Sequence, residues 1–330
     1  HEMSCLYLIG ADGAHSLVRK LEGLNFDYLK NYKDTWLILD TFNKLKTSPE
    51  NRVTFYCDFN KPCPSIPAPG GRQRFEFRLD PHKEIELQVE EGPWKKNFID
   101  EKEFKIERKA TYQFKACLAE KFQNQGVFLV GDSAHLTPPF AGQGLVLGLK
   151  DALNLSWKLD YSIKGKLTKN ILETYTVERK DQVKKVIRLS MMAGLLASPR
   201  TKISSLMSQS FLFFISKLPF IKGFIRGFHF LPGNKIKEGF IIKKTQFKKK
   251  LVKQVFIGKQ FPSAWLRSLN DHKRVRSDDL FKGQFCLFCF NLDPSISFGE
   301  DTLKRWIKWG GKVAFIQKEM RLKIKNKFNK

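Results

Sequence analysis

The 330-residue sequence predicts an α/β domain split by a mainly-β insert and followed by a small α/β tail. Three observations predict it. Two short apolar runs, Cys5 to Gly10 and Val127 to Val130, each end in a turn carrying glycine and aspartate that leads on to a helical pattern. Between them, from about residue 33 to 115, the pattern is that of successive short strands. From about Phe256 the order strand, helix, strand returns on a smaller scale.

Each element has a local reason. Cys5 to Gly10 reads as a buried strand, Ala11-Asp12-Gly13 as a tight turn, and Ser16 to Leu21 as the start of a helix. The insert holds strand candidates at Trp36 to Leu39, Arg52 to Tyr56, Arg74 to Phe77 and Ile85 to Leu87, with Pro62 to Gly71 as turn signals. Val127 to Val130 is a strand that ends at Gly131-Asp132. Pro138 and Pro139 then lead to Gly142-Gln143-Gly144, which opens a helix over about Leu145 to Leu159. A second helical pattern runs from about Thr168 to Met192. In the tail, Phe285 to Phe290 and Val313 to Ile316 read as strands around a helix at Glu300 to Trp309.

Charge is the anomaly in the composition. Lys and Arg number 59 against 33 Asp and Glu, a formal balance of +26. Such a balance raises nucleic acid or anionic lipid as partners. However, no nucleic-acid motif accompanies it, and richness in Lys, Phe and Ile fits the bias of an AT-rich coding sequence. No nucleic-acid partner is expected. Uninterrupted apolar stretches such as Phe211 to Ile215 are far short of a membrane span. The six cysteines form no disulfide framework, and a reducing cytoplasm is the default.

The chemistry concentrates at two places. Val127-Phe-Leu-Val-Gly-Asp132 brings a carboxylate to a strand's carboxyl end, where ligands sit in α/β folds. Gly142 and Gly144 let a ligand approach the backbone, and the helix start offers N–H groups and a positive dipole end. An anionic or electron-rich group is expected there, although the local pattern alone equally suits a Pro-capped, Gly-opened helix with no ligand. Gly142-x-Gly144-x-x-x-Gly148 is not a pyrophosphate fingerprint, because about ten residues separate it from its strand. Asp12, in the first turn, is equally a ligand acceptor or a helix cap when taken alone. The pairing of the two turns makes the pattern specific.

Together these residues carry a resemblance to the single-component flavoprotein aromatic hydroxylases, the para-hydroxybenzoate and phenol hydroxylase group. Gly10-Ala-Asp-Gly-Ala-His-Ser-Leu-Val-Arg19 resembles that family's DG motif. Gly131-Asp-Ser-Ala-His, then Pro-Pro-Phe-Ala-Gly-Gln-Gly144, and the helix to Leu159 resemble its GD motif. Phe55-Tyr-Cys-Asp and Pro69-Gly-Gly-Arg-Gln-Arg-Phe-Glu-Phe77 are similar to the hydroxyphenylpropionate hydroxylase branch. The resemblance implies an FAD-dependent monooxygenase that uses NADH or NADPH and O2 on a small phenolic or aromatic substrate. It implies FAD contacts at Gly10, Asp12, Gly13, Arg19, Gly131, Asp132, Pro138, Gly142, Gln143, Gly144 and Leu145. Asp132 would meet the ribityl chain, and the backbone from Gly142 to Leu145 the pyrimidine edge of the flavin ring. No protein nucleophile is needed. Other FAD-dependent oxidoreductases (epoxidase, halogenase, reductase) share these motifs. A non-catalytic basic remnant that binds anionic surfaces is the alternative from another class.

The implied organisation is an α/β flavin-binding domain at 1–32 and 116–190, a β-rich substrate domain at 33–115, a basic helical segment at 191–254 and a thioredoxin-like tail at 255–330. The family's opening βαβ unit with Gly-x-Gly-x-x-Gly is expected ahead of residue 1, so the chain reads as an N-terminally truncated or decayed copy, and its tail as incomplete. Val146 also stands where the family often has Asn or Cys.

Four features remain. Arg74, on the polar face of the alternating strand Arg72 to Leu79, is the candidate for a substrate carboxylate. His135 reads as a structural loop residue, not a base. Cys286-Leu-Phe-Cys289 lies within an apolar strand, so it reads as two structural cysteines instead of a redox pair. The basic apolar stretch 205–232 is broken by Pro219 and Pro232, so packing onto the flavin domain is preferred over a membrane surface. A homodimer is compatible with the pattern. The flavin-proximal half alone is expected to bind FAD weakly. A stoichiometric yellow flavin in purified residues 1–330 contradicts the truncation.

Overall fold

The computed structural model describes residues 2–43, 52–59, 62–90, 103–219, 231–241, 257–261, 263–267, 273–281, 283–291 and 293–316, with Ile221 and Gly223. The chain divides into two units, 1–159 with 169–259 and 160–168 with 260–330.

The first unit is built on two sheets. In the smaller, β1 (Leu8–Gly10) lies parallel to β8 (Val127–Leu129), which pairs antiparallel with β7 (Gln123–Asn124). Helix α1 (Leu17–Leu21) follows β1, and the Ser16 hydroxyl caps it by accepting from the Arg19 N–H at 2.9 Å. The larger sheet has six antiparallel strands in the order β3 (Thr54–Tyr56), β4 (Cys63–Ala68), β5 (Arg72–Arg78), β2 (Phe26–Asn43), β6 (Phe104–Ala119) and β9 (His135–Leu136). The alternation seen in the sequence sets its faces. Leu37, Leu39, Cys63, Phe75, Phe77 and Leu79 form one buried cluster, covered by Val89, Phe104 and Ile106. On the opposite face Trp36 stacks on Phe114, with ring centroids 5.7 Å apart.

Three sequence expectations are corrected. Ile85 to Leu87 is not a strand but part of helix α2 (Ile85–Glu90). The Gln88 side chain ties this turn down, accepting from the Asp80 N–H and donating to the Asp80 and Lys83 carbonyls. Pro62 to Gly71 is not all turn, since Cys63 to Ala68 forms β4. Its prolines are tolerated because Pro64 is flanked only by β3 and Pro67 only by β5. The turn itself is Gly70-Gly71, both at positive φ. The boundaries at 32/33 and 115/116 fall inside β2 and β6, whose pairing continues from Phe26 with Ala119 to Asn43 with Phe104.

Three helices follow. Helix α3 spans Gly144–Ile163, and α4 (Thr174–Ala197) begins after a 3₁₀ turn at Lys169–Glu173. Helix α5 (Lys202–Lys217) starts at a Thr201/Ser204 capping box and stops before Pro219. Most of 220–230 and all of 242–254 in the expected basic segment lie outside the described residues. No helix among the described residues is long and apolar enough to cross a membrane.

The second unit holds a hairpin of β10 (Trp265–Arg267) and β11 (Arg274–Arg276), then helix α6 (Ser277–Phe281). Next come β12 (Cys286–Phe290), helices α7 (Pro294–Phe298) and α8 (Glu300–Trp309), and β13 (Lys312–Ile316), parallel to β12. Phe285, Trp309 and Tyr161, from the last turn of α3, pack ring against ring at 5.3 Å. Cys289 is buried and Cys286 half-buried on β12, and burial raises both thiols above their ordinary pKa. That agrees with structural cysteines.

Leu39→Ala is expected to lower the stability of the first unit by about 2–5 kcal/mol in urea unfolding. Leu145→Ala, at a side chain 78% exposed, is expected to change it by less than about 0.5 kcal/mol.

Candidate functional site

Because β1 and β8 are parallel neighbours, both glycine–aspartate turns leave the same sheet end. Backbone and buried side chains lock them together. Val130 N–H donates to the Gly10 carbonyl at 3.0 Å, and the buried Ser133 hydroxyl donates to the same oxygen at 2.5 Å. Arg19, expected at a cofactor, is a buried brace between the turns. Its guanidinium donates to the Ser133 carbonyl at 3.0 Å and the Ala14 carbonyl at 3.2 Å, and lies 3.7 Å over the Phe26 ring. Gly10 is also a packing position, since a Cβ there would stand 2.9 Å from Val18. Asp12 caps α1, accepting from the Leu17 and Val18 N–H groups at 2.7 and 3.1 Å.

The second turn is fixed by a carboxylate that sequence reasoning did not single out. Asp151, fully buried on α3, accepts from the Gly131 N–H at 3.1 Å, the His135 Nε2 at 2.6 Å and the Arg179 Nε at 2.7 Å. Burial alone would push the Asp151 carboxyl up. His135 and Arg179 outweigh it and hold the carboxyl below its ordinary value. Arg179, on α4, also donates to the Leu147 carbonyl at 3.3 Å and to the Gln182 side chain. One turn earlier on α4, Tyr175 donates its hydroxyl to the Leu129 carbonyl at 2.8 Å, at the end of β8. The signal for Asp151 was available: it lies among the buried Leu147, Leu155 and Leu159, on a face that the helical period reserves for apolar residues. His135, expected in a loop, lies instead on β9, buried against Asp151.

The start of α3 is set against this frame. Gly148 and Gly131 approach so closely that a Cβ on Gly148 would lie 3.4 Å from the Gly131 Cα. Phe140 wedges the preceding loop against Trp36, Phe114 and Gly194, where a Cβ would lie 2.7 Å from its ring. The chain then turns at Gly142, at φ +61° with open space where a Cβ would point. Gly13 has φ +79° and the same open space. Asp132, Gly142 and Leu145 are exposed, Gly13, Gly131, Gln143 and Gly144 half-buried, and Pro138 buried. The arrangement presents a carboxylate, a left-handed glycine and the N–H groups of a helix's first turn, suited to a polar, electron-rich ligand. Arg74 stands elsewhere, on the six-stranded sheet. Asp40 engages its guanidinium at 2.7 and 3.2 Å, so its charge is already partnered. Among the described residues no cluster fit to hold a metal is found.

Comparison with known proteins gives the class. Residues 1–190 match the family described as FAD binding domain, more than half of the chain, and the chain belongs to that family. Among curated proteins it is similar to 3-(3-hydroxy-phenyl)propionate/3-hydroxycinnamic acid hydroxylases. That of Klebsiella pneumoniae is 29% identical over 316 residues, 94% of this chain and 55% of the relative. That of Comamonas testosteroni is 26% identical over 351 residues, 93% and 59%. The chain thus spans a little over half the length of these relatives. Among solved structures, the anhydrotetracycline hydroxylase of Streptomyces rimosus superposes with a TM-score of 0.71 at 20% identity, over 96% of this chain and 60% of that one. An aklavinone-11 hydroxylase in complex with FAD and aklavinone gives 0.70 at 18% identity, over 94% and 57%. These likenesses establish the flavin-binding aromatic hydroxylase fold, with its mixed α/β content and antiparallel sheet.

Asp151→Asn leaves Arg179 buried against a neutral amide. It is expected to destabilise the first unit by about 3–5 kcal/mol at pH 7. The depressed native pKa gives the sign for pH: the wild-type advantage is full above about pH 4, the unfolded value, and shrinks as pH falls through the lower native one. Denaturant unfolding of both proteins between pH 3 and 7 measures the convergence.

Proposed function

We propose that the chain carries the flavin-proximal half of an FAD-dependent monooxygenase that hydroxylates a phenolic or other aromatic substrate with NAD(P)H and O2. One observation carries the reading. Two parallel strand ends and a glycine-opened helix start converge on one exposed edge, within the residues that match the FAD-binding family. The open space at Gly142 and Gly13 fits a group that approaches the backbone closely.

Bound FAD supplies the redox and oxygen chemistry. Asp132 would accept hydrogen bonds from its ribityl hydroxyls. The first-turn N–H groups of α3, around Gly144 and Leu145, would hold its pyrimidine edge. There the positive helix end would favour negative charge on the bound group. Gly142 and Gln143 shape the approach, and Pro138 backs it. Gly10, Asp12, Gly13, Arg19 and Gly131 hold the two turns in register, with Gly13 open to the ligand. The six-stranded sheet is the substrate domain. Arg74 binds a substrate carboxylate only by sharing Asp40's place beside it. The β12–α8–β13 unit is a thioredoxin-like domain with an assembly role.

The relatives' names suggest the substrate class, a phenol bearing a short carboxylate chain. The test is titration of the purified chain with FAD by flavin fluorescence, then assay of NADH and NADPH oxidation with 3-(3-hydroxyphenyl)propionate. Asp132→Ala is expected to weaken FAD binding about ten-fold, the loss of one to two good hydrogen bonds, and Gly142→Val by more. Unchanged affinity in both variants contradicts the assigned site.

A further inference from the structure

Helix α5 is amphipathic in the reverse of the usual sense. Its inward face is marked by Ser205 and Ser208, 5% and 7% exposed, with Leu212 and Ile215 half-buried beside them. Its outward face carries the large apolar side chains. Ile203, Met207, Phe211 and Phe214 recur at spacings of four, four and three, with Leu206 and Phe213 alongside, and all six are more than half exposed. A surface helix that packs by its apolar stripe would show the opposite pattern, and a cluster of this size marks an interaction surface.

The surrounding charge points to the occupant. From residue 182 to 237 the sequence has ten Lys and Arg and no Asp or Glu. Lys202 and Lys217 stand exposed at the two ends of α5, and Lys217 reaches over the Phe213 ring at 5.0 Å. Basic residues bordering an exposed stripe of Phe, Leu, Ile and Met are the composition of a helix lying in a membrane interface. Such a helix gains from apolar insertion and from attraction to anionic headgroups together. A second copy of the chain fits less well, because a two-fold contact would bring two acid-free basic segments together.

We infer that the outward face of α5 is a docking surface for an anionic lipid bilayer, on which the protein rests peripherally. Pro219, which ends the helix, limits how far it extends without removing the stripe. No helix among the described residues is suited to span, so the attachment is interfacial and reversible.

The test is flotation of the full chain with vesicles of phosphatidylcholine and phosphatidylserine at three to one, and with phosphatidylcholine alone, at low and physiological salt. Wild-type protein is expected to float with the anionic vesicles and to partition at least about ten-fold less onto the neutral ones. Phe211→Ser with Phe214→Ser is expected to cut partition onto anionic vesicles by about ten-fold or more. Its thermal unfolding should be unchanged, because both side chains already face out. Failure of the wild type to float contradicts the inference. So does flotation that the double variant leaves intact, which would make the attraction a property of net charge alone. A double variant that fails to float but also converts a dimer to a monomer in sedimentation velocity assigns the face to a second copy, and likewise overturns it. Lys202→Glu with Lys217→Glu, a surface change, is expected to lose the anionic preference and supplies an independent reading.

Discussion

The first unit depends on one buried carboxylate. Asp151 receives a backbone N–H from the turn after β8, a ring nitrogen from β9 and a guanidinium from α4. Those donors belong to three segments that share no local hydrogen-bond ladder. A buried aspartate is costly unless it is paired and fully hydrogen-bonded. Here the cost is met by a specific geometry, so any shift of one segment leaves a buried charge less well held. A second buried pair, Lys158 with Glu178 at 2.8 Å, joins the same helices, two turns further along α3 and beside Arg179 on α4. Glu178 also accepts from the Phe240 N–H at 2.8 Å, drawing the segment at 238–241 onto them.

What this frame positions is backbone. Gly131 sits close to Gly148, Arg19 spans from α1 to the Ser133 carbonyl, and Phe140 wedges the loop before Gly142 against Gly194. Arg19 and Gly194 are buried in these contacts, whereas the surface they frame is open at Gly13 and Gly142. A site made of main-chain N–H groups and one carboxylate needs this kind of support, because it has few side chains of its own to adapt. The electrostatics agree: the helix start is positive, and the one nearby buried acid is already occupied by its partners.

Much of this was legible in the sequence, and the reasons are physical. Glycine–aspartate turns after apolar runs announce strand ends, since few other residues accept the backbone angles required. Period-two alternation in Arg72 to Leu79 foretold which residues of β5 face the core, and Glu300 to Trp309 was read with its observed bounds. Less legible were features decided at a distance. The helix at Ile85 is held by Gln88 reaching back to Asp80, and β4 survives its prolines because each has a strand on one side only. The bracing role of Arg19 was hidden because its Ser133 partner lies 114 residues away. Asp151 and Arg179 hid in ordinary helical text, where only their place on buried faces set them apart.

The reversed face of α5 belongs to the same lesson. Sequence alone weighed its prolines and basic residues, whereas only the fold shows that serines turn inward and phenylalanines outward.

The claim at the centre is that Asp151 couples the turn after β8 to the start of α3. Amide hydrogen exchange in Asp151→Asn tests it most directly. The account predicts that protection falls together at Gly131 to His135 and at Leu147 to Asn154, while the amides joining β2 to β6 keep theirs. Loss confined to the immediate neighbours of residue 151, with the Gly131 turn still protected, would contradict it.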